Sequence, residues 1–569
     1  MPSSLRYLPV LLAAACHALP TQVVDLRGAT PPQTLAAQVC VGLLNRDPSL
    51  RGAAYALLHP EDVTWLALVG DEQPPTALDT FMHACLAGGG VAGSRIIRYN
   101  FSAQQEVVPN LLTIAAVLDA VPLEAGSPWE PPGAALVFDA VAAWVGFHEV
   151  NATAFVFDHY GNATSGVAKM NPGWDVHGAE PLSPPLSKLP DLSLADFIVK
   201  AKYFNFFLLN GCIPGTAEYA LLERMTADGA SPWPRPIGVM GYDDSWAIAG
   251  DVWEAETACG RHNAGQIASV GVSNLAYFSR EPPVTQPLTR PPLPLVPYNA
   301  SLTYVALVVG DGDNVAYVKG TRQQWMAARV AACAPPAPPC APLAWTLSPA
   351  LATLAPAILR WFHASSLATA GADAFVLPPS GHLYAYPSLM SARDQAAFVA
   401  ATAADAALLN TSASVAWEVE GTWEAAIGSY FPRYAGGQLR AMFAVNVPYL
   451  LPAAAWGNAS VLLVAGAGGG APLARFAPRE WRGTSAAPDP LDEPFFLSVA
   501  QQAAALGALP RGSVTAIYGT SDGGLDWQDL AALAGALPPH VRVVAAEQIG
   551  ELAREAAAAG SPSARAIEG

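Results

Sequence analysis

The chain has 569 residues, of which 52% are hydrophobic and 13% are charged, and its formal net charge at pH 7 is −17. A chain of this length is expected to form two to four domains, and the high apolar content argues against an intrinsically disordered protein. The acidic balance argues against nucleic acid and anionic membrane surfaces as partners.

Residues 1–18 have the pattern of a secretory signal peptide. One basic residue, Arg6, precedes an apolar run, and small residues suited to cleavage lie at Ala15 and Ala18. No later stretch reaches the roughly 20 apolar residues of a membrane span, and no hydrophobic anchor tail ends the chain. The sequence therefore predicts a secreted protein without a membrane span.

Sequons and cysteines are also typical of an exported protein. The N-x-S/T sequons lie at Asn100, Asn151, Asn162, Asn299, Asn410 and Asn458. The cysteines that remain after cleavage are Cys40, Cys85, Cys212, Cys259, Cys333 and Cys340, an even number that permits three disulfides. Because Cys333 and Cys340 flank the segment APPAPP, a local bridge between them is predicted, and the other pairings stay open. A zinc site is the weaker alternative, since no C-x-x-C or paired-histidine spacing accompanies these cysteines.

Residues 19–285 are predicted to form an N-terminal α/β region of one or two subdomains, divided near residue 125 by the proline-rich segment 127–133. Apolar runs and amphipathic stretches alternate in a rhythm typical of parallel sheets. Strands are expected at 23–26, 65–69, 95–99, 154–159, 206–209 and 237–241. Helices are expected at 33–44, 78–86, 107–118 and 194–203. Four acids in the second subdomain, residues 126–285, are interpreted as solvated loop residues, with membership of a site as the alternative. They are Asp243, Asp244, Glu254 and Glu256.

Residues 286–297 are predicted to be a linker, because the surrounding segment is too rich in proline for a central strand or helix. The following residues, 298–555, contain eight strand candidates, each followed by helical or turn sequence. These candidates lie at 303–309, 343–347, 374–377, 414–419, 441–445, 461–465, 514–518 and 541–545. Their number and span predict a C-terminal (β/α) barrel-like domain; an open doubly wound sheet is the alternative, because periodicity cannot distinguish closure. Residues 556–569 are predicted to be a tail.

The first of these strand candidates ends at an acidic loop. Its sequence, GDGDN at residues 310–314, places Asp311, Asp313 and Asn314 at the carboxyl end of the strand, where α/β folds build their sites. A turn that caps the next helix is the alternative interpretation, since Asp, Gly and Asn are common turn residues. A turn needs only one acid, whereas this loop has two, which favours a functional role.

The third strand candidate runs into the sequence AFVLPPSGHLYAYPSLM. Together with GDGDN and the segment WTLSPALATLAPAIL, it resembles the GxGYxYP family of glycoside hydrolases, and the N-terminal fragments GLLNR and NLAYFS are similar to that family as well. The resemblance implies hydrolysis of a poly- or oligosaccharide but does not assign the acid or the base. The family takes its name from the motif G-x-G-Y-x-Y-P, here called the naming motif, and Leu383 stands at its second glycine. A backbone angle or a close approach of a ligand that needs glycine is therefore expected to differ in this chain.

Glycoside hydrolysis needs two carboxyl groups, about 5–5.5 Å apart for retention and about 6.5–9.5 Å apart for inversion. The catalytic candidates at predicted strand ends are Asp311, Asp313, Glu418 and Glu420, whereas Asp522 is interpreted as a turn residue. The substrate-binding candidates are Asn314, Trp345, Ser380, His382, Tyr384 and Tyr386. Aromatic rings pack on sugar rings, but they also dominate ordinary cores, so only the two tyrosines in their Gly/Pro loop are favoured as contacts over packing.

Two other functions stay open. A metal-dependent carbohydrate deacetylase would use Asp311 and Asp313 with His363 or His382 as ligands. A glycan-binding protein would use the aromatic residues and need no pair of carboxyl groups. No cofactor is predicted, and the sequence contains no P-loop.

Overall fold

A computed structural model describes most of the chain. The described residues are 20–47, 52–170, 192–208, 214–241, 262–269, 271–294, 296–337, 339–418, 423–445, 460–466, 469–487, 490–520 and 524–567. Within these ranges the chain is a mixed α/β protein with several parallel sheets. The predicted signal peptide, Cys212, Cys259, Glu420, Asp522 and the four acids of the second subdomain lie outside the described residues.

The strands of the described residues are numbered in chain order. They are Gln22–Asp25 (β1), Ala54–Leu57 (β2), Arg95–Tyr99 (β3), Val121–Glu124 (β4), Ala135–Asp139 (β5), Gly166–Lys169 (β6), Tyr203–Phe206 (β7), Ile237–Gly241 (β8), Ala264–Ala268 (β9), Thr303–Val309 (β10), Leu343–Thr346 (β11), Asp373–Val376 (β12), Ala413–Ala416 (β13), Ala441–Ala444 (β14), Val461–Val464 (β15), Leu473–Phe476 (β16), Arg479–Trp481 (β17), Val514–Gly519 (β18), Val541–Val543 (β19) and Ala564–Ile567 (β20).

The α-helices of the described residues are numbered in the same way. They are Pro31–Leu44 (α1), Pro60–Leu68 (α2), Leu78–Leu86 (α3), Phe101–Gln104 (α4), Val108–Leu118 (α5), Ala140–Ala143 (α6), Glu149–Tyr160 (α7), Ala195–Ala201 (α8), Ala217–Thr226 (α9), Leu275–Phe278 (α10), Val315–Tyr317 (α11), Gln323–Cys333 (α12), Leu351–Leu354 (α13), Pro356–Ala368 (α14), Ala392–Leu408 (α15), Trp423–Ser429 (α16), Phe431–Tyr434 (α17), Val499–Gly507 (α18), Trp527–Ala536 (α19) and Ala546–Ala558 (α20). A π-helical turn, Val318–Arg322, joins α11 to α12.

The N-terminal part, residues 20–285, contains three parallel sheets. Strand β1 pairs with β2, the second sheet has the order β4-β3-β5, and the third has the order β7-β6-β8-β9. The predicted strands at 95–99 and 237–241 are confirmed with the same bounds. The βαβ rhythm therefore indicated the parallel class of sheet correctly.

Two predicted strands of the N-terminal part are wrong. Residues 65–69 belong to α2, which starts with Pro60 at its first position and with a capping interaction between Asp62 and the backbone of His59. Residues 154–159 belong to α7. Both are short apolar runs, which periodicity alone cannot assign to a strand or to a buried helix segment.

The C-terminal part, residues 298–567, contains two larger sheets. One has the order β12-β11-β10-β18-β17, with β19 paired to the start of β10, and the other has the order β13-β14-β16-β15-β20. A bridge between Leu377 and Ser414 connects the end of β12 to β13. All pairs are parallel except β15 with β16.

All eight predicted strands of the C-terminal part are present. For most of them, the predicted first and last residues agree with the structure to within one or two residues. Strands β16, β17 and β20 were not predicted, and β20 lies in the segment interpreted as a tail. The seventh predicted strand, β18, pairs with the first, β10, as it would near the closing seam of a barrel. Closure into a barrel and the domain boundaries stay predictions.

Two disulfides are present among the described cysteines. Cys333 pairs with Cys340, as predicted from the proline loop between them, and Cys40 pairs with Cys85. No helix in the described residues combines the length and the apolar composition that a membrane crossing requires.

A buried ion pair connects the two parts of the chain. Lys319, in the π-helical turn, donates to Asp62 at the start of α2, and both side chains are fully buried. Asp62 also accepts hydrogen bonds from Ser273 Oγ at 2.6 Å, from Asn274 Nδ2 at 3.0 Å and from the His59 backbone N–H at 2.7 Å. Burial opposes ionisation of Asp62, but Lys319 and His59, through their charges and their hydrogen bonds to the carboxylate, together outweigh it and lower the pKa of the carboxyl group. A charge pair this deep is stabilising only when its remaining polar atoms are also bonded, as they are here.

We expect Lys319→Met to lower the free energy of unfolding by about 3–5 kcal/mol, because it leaves the Asp62 carboxylate buried without its counter-charge. Denaturant unfolding followed by circular dichroism measures this change. Arg393→Met is the matched control, since Arg393 forms an exposed ion pair with Asp228 and should leave stability unchanged. Equal stability of the two variants would contradict the role given to the buried pair.

Candidate functional site

The acidic loop after β10 is pressed against the neighbouring strand β11. The N–H of Gly312 donates to Thr346 Oγ1 at 2.9 Å, and this hydroxyl donates to the carbonyl of Val309 at 2.8 Å. A Cβ atom at Gly312 would lie 1.8 Å from the Thr346 carbonyl oxygen, a distance that no side chain tolerates. Glycine is therefore required at this position by the close approach of two backbones.

Asp311 is held between an arginine and a tyrosine. Its backbone is in the left-handed region, with φ of 59°, which Asp adopts more readily than most residues. Its Oδ2 lies 3.4 Å from Arg322 Nη2, and the same guanidinium nitrogen donates to the Gly310 carbonyl at 2.7 Å. The Arg322 side chain is 3% exposed and that of Asp311 is 22% exposed, so the carboxylate keeps one side toward solvent.

Tyr518, at the end of β18, closes the other side of this loop. Its hydroxyl oxygen lies 3.4 Å from the N of Asp311. Burial raises the pKa of Tyr518 well above its usual value, and the charges of Asp311 and Asp313 raise it further. Tyr518 therefore keeps its proton at neutral pH and acts as a neutral polar group beside the two acids.

Asn314 has a structural role in the described conformation. Its Oδ1 accepts the N–H of Ala316 at 2.9 Å, which is the position of a helix N-cap for α11. The helix-capping interpretation of the loop thus holds for Asn314. It leaves the two aspartates unexplained, because neither is the capping residue.

The second loop of the site follows β12, and hydrogen bonds of Ser380 hold it in place. Its hydroxyl donates to the Ala385 carbonyl at 2.7 Å and accepts the N–H of Trp417 at 2.9 Å. Ser380 is buried and bonded to both sides of the loop, so it positions the loop in this conformation. The tyrosine loop, residues 378–390, is in this way tied to the residue that follows β13.

The two tyrosines of this loop lie on a shared aromatic surface with Trp417. Tyr384 exchanges backbone hydrogen bonds of 2.8 and 2.9 Å with Gln266 of β9, and its ring centroid lies 6.0 Å from that of Trp417. Tyr386 is fully buried, and its hydroxyl accepts the Trp417 Nε1–H at 2.8 Å. Tyr384, which is the more accessible of the two, is therefore the better placed to contact a ligand.

Leu383 occupies the glycine position of the naming motif without a left-handed backbone. Its side chain packs on β8 and β9, where a Cβ atom on Gly265 would lie 2.4 Å from Leu383 Cβ and one on Gly238 would lie 3.4 Å from Leu383 Cδ2. Leucine in place of the motif glycine therefore changes the packing at this position. Gly238 and Gly265 on the facing strands leave space for the leucine side chain.

His382 is paired with a carboxylate. Its Nδ1 lies 2.6 Å from Asp405 Oδ2, and its backbone N–H donates to Thr402 Oγ1 at 3.1 Å. Both partners are on α15, one helical turn apart, so this helix orients the histidine.

A small cleft of about 220 Å³ opens between the acidic loop and the tyrosine loop. Its lining residues are Gln266, Ile267, Asp313, Ser348, Pro349, Pro378, Pro379, Gly381, His382, Leu383 and Tyr384. Part of this volume is open solvent, and the space that the centre of a water-sized sphere can occupy is only about 10 Å³. Typical ligand pockets measure roughly 300–1,000 Å³, so a sugar would lie largely outside the cleft. It brings together three of the predicted site residues, Asp313, His382 and Tyr384.

Glu418 does not line this cleft. It is fully buried, accepts the Ser388 N–H at 3.2 Å and the Tyr430 hydroxyl at 2.7 Å, and is also bonded to Ser388 Oγ. Strands β10 and β13 are three strand spacings apart, about 14 Å in a flat sheet. A catalytic separation between Asp313 and Glu418 would therefore need strong curvature of the sheet.

Trp345 lies in the core rather than at a surface. It is 2% exposed on β11 and packs within the main hydrophobic cluster. Packing explains it fully, as is usual for a large aromatic residue within a strand.

Sequence reasoning missed Arg322, Tyr518 and Asp405. Arg322 could have been suspected, because it lies in helical sequence directly after the acidic loop in a chain with only 29 basic residues. The pairings of Tyr518 with Asp311 and of Asp405 with His382 depend on contacts across strands and helices that are distant in sequence. No local pattern carries that information.

One family of known proteins matches the part of the chain that contains this site. Residues 301–422 match the family described as "GxGYxYP putative glycoside hydrolase C-terminal domain", a range that contains both loops. The resemblance to this family is therefore confirmed for residues 301–422. No match is found among curated proteins.

A solved structure shows the same fold over nearly the whole chain. It is the crystal structure of a protein from Bacteroides thetaiotaomicron described as a "putative hydrolase". The alignment covers 95% of each chain at 17% identity, with a TM-score of 0.68. At this identity the likeness shows the fold alone.

We expect Gly312→Ala to displace the acidic loop, because the added Cβ atom meets the Thr346 backbone. The cost in the free energy of unfolding should be about 1–3 kcal/mol or more. Gly535→Ala is the control: Gly535 lies in α19 with no atom near its Cβ position, and alanine should stabilise that helix by up to about 1 kcal/mol. Thermal unfolding of both variants measures these changes. A Gly312→Ala variant as stable as the native protein would contradict the close contact with β11.

Proposed function

We propose that this protein is a secreted glycoside hydrolase whose active site is the cleft between the acidic loop and the tyrosine loop. The observation that carries the proposal is that Asp313 and Tyr384, from two separate segments of the family match, line one cleft. A carboxyl group next to an aromatic ring supplies two parts of a glycoside hydrolase site: a proton-transfer group and a face on which a sugar ring can pack.

The two aspartates differ in their surroundings, which supports different roles for them. Asp311 lies 3.4 Å from Arg322 and is not among the residues that line the cleft. Asp313 lines the cleft, and the charges of both aspartates act on the Arg322 guanidinium. We propose Asp313 as the group that exchanges a proton with the substrate, and Asp311 as the fixed negative charge beside it.

Export of the protein is supported by several independent features. The N-terminal residues have the pattern of a signal peptide, and disulfides form and persist in oxidising compartments. Among the described sequons, Asn151, Asn162, Asn299 and Asn410 are exposed. These features fit a glycoprotein that acts on carbohydrate outside the cell.

The metal-dependent deacetylase is the alternative that the geometry supports less. Among the described residues, three metal-ligating side chains come within 4.8 Å of one another only at Glu106, His148 and Glu149, in the N-terminal part. Asp311, Asp313 and His382 do not form such a group. Metal analysis of the purified, active protein separates the two hypotheses.

We expect Asp313→Asn to lower kcat by about two to four orders of magnitude, the usual scale for loss of general acid–base catalysis. The test is a screen of polysaccharides and aryl glycosides, followed by kinetics on the substrate found. Asp158→Asn is the control, because Asp158 forms an exposed ion pair on α7 and should not affect turnover. An Asp313→Asn enzyme with normal turnover would place the site elsewhere, and Asp243, Asp244, Glu254 and Glu256 would then be tested.

We expect Tyr384→Ala to raise KM with little change in kcat, since it removes a stacking face and leaves the carboxyl groups in place. An aromatic contact of about 0.5–1.5 kcal/mol corresponds to a change of roughly 3- to 10-fold. Tyr384→Phe keeps the ring and should bind like the native protein. A loss in kcat alone would contradict a binding role.

A further inference from the structure

The paired histidine in the cleft has a geometry that the packing of the loop alone does not require. His382 lines the cleft and its side chain is 33% exposed, whereas its partner Asp405 is 18% exposed and is not among the lining residues. Asp405 Oδ2 accepts from Nδ1 at 2.6 Å. The other ring nitrogen, Nε2, is then the basic nitrogen of the neutral imidazole.

A single helix fixes the orientation of this imidazole. Phe398, Thr402 and Asp405 lie along one face of α15; the Phe398 ring stands edge-on to the imidazole at 6.4 Å, and Thr402 bonds the His382 backbone N–H at 3.1 Å. The contacts fix the ring and its backbone independently. An aspartate that holds Nδ1–H so that Nε2 can exchange protons is the arrangement by which many hydrolases orient a histidine base.

The other acids of the described site are engaged elsewhere. Asp311 is bound to Arg322, and Glu418 is fully buried with bonds to Ser388 and Tyr430. Among the described lining residues of the cleft, Asp313 supplies a carboxyl group and His382 supplies an imidazole. A glycoside that enters this cleft meets one carboxyl group and one imidazole.

We propose that His382, oriented by Asp405, is the proton-transfer partner of Asp313 in the hydrolysis reaction, an inference that rests on the proposed function. His382 Nε2 takes a proton from the attacking water, whose oxygen forms the new bond to the anomeric carbon. Asp313 gives its proton to the leaving oxygen as the glycosidic C–O bond breaks. One water is consumed, two hydroxyl products form, and the proton on the imidazolium returns to the Asp313 carboxylate through solvent. In this scheme Asp405 is a positioning residue.

The kinetic test uses the full chain and the aryl glycoside or polysaccharide found in the screen. We expect His382→Gln and His382→Ala to lower kcat by about 10²- to 10⁴-fold, and Asp405→Asn to lower kcat with KM nearly unchanged. Added imidazole should restore part of the activity of His382→Ala, which a purely structural role would not produce. His83→Gln is the matched control, because His83 Nδ1 is also hydrogen-bonded, to the Asp79 carbonyl, but His83 lies on α3 and not in the cleft.

A second measurement does not depend on activity. Long-range ¹H–¹⁵N spectra of protein labelled at histidine report the tautomer of each ring, and the His382→Gln variant assigns the signal of His382. We expect the Nδ1–H tautomer in the native protein and its loss in Asp405→Leu, with thermal unfolding used to confirm that this variant is folded. An Nε2–H tautomer in the native protein would overturn the proposal.

The outcomes separate this inference from the proposed function. If the native protein hydrolyses none of the glycosides, the proposed function fails, and the tautomer spectrum alone decides whether Asp405 orients His382. If the native protein is active but His382→Gln keeps at least one third of its turnover, the histidine proposal fails while the proposed function stands. Imidazole rescue together with the Nδ1–H tautomer supports the proposal.

Discussion

The position of the acidic loop depends on one buried ion pair. Lys319 follows the loop by one and a half helical turns, and its ammonium group is fixed to Asp62, which is bonded in turn to the backbone at the start of α2 and to Ser273 and Asn274. An apolar contact at this place would tolerate sliding of the helix, whereas a fully hydrogen-bonded charge pair allows one geometry. The N-terminal part therefore sets the direction in which the aspartates face.

The tyrosine loop is fixed from the same side. Its backbone pairs with Gln266 on β9, and Leu383 packs on the glycines of β8 and β9. The N-terminal part thus contacts the tyrosine loop and the helical turn that follows the acidic loop, although the family match covers only residues 301–422. The solved structure with the same fold likewise aligns over 95% of the chain and not only over the matched segment.

Local pattern predicted the strands of the C-terminal part well, because buried parallel strands are continuous apolar runs bounded by turns. It failed for residues 65–69 and 154–159, where equally apolar runs sit within helices. It also missed β16 and β17, which follow each other closely and carry Arg475 and Glu480 among their buried residues. The sequence predicted correctly that the candidate site consists of loops at strand ends. It could not predict that Glu418 lies in the core or that His382 pairs with a carboxylate, because both depend on contacts between residues that are distant in sequence.

Leu383 shows that one residue of the naming motif can change while the loop keeps its backbone hydrogen bonds. A glycine is indispensable where φ is positive or where another backbone approaches, as at Gly312 against Thr346. Position 383 meets neither condition here, since its φ is not positive and its side chain has space over Gly265. The tyrosine loop keeps its hydrogen bonds to β9 on the residue that follows. The substitution therefore replaces space between the loop and β9 with apolar contact, which should make this wall of the cleft more rigid without removing any polar group from it.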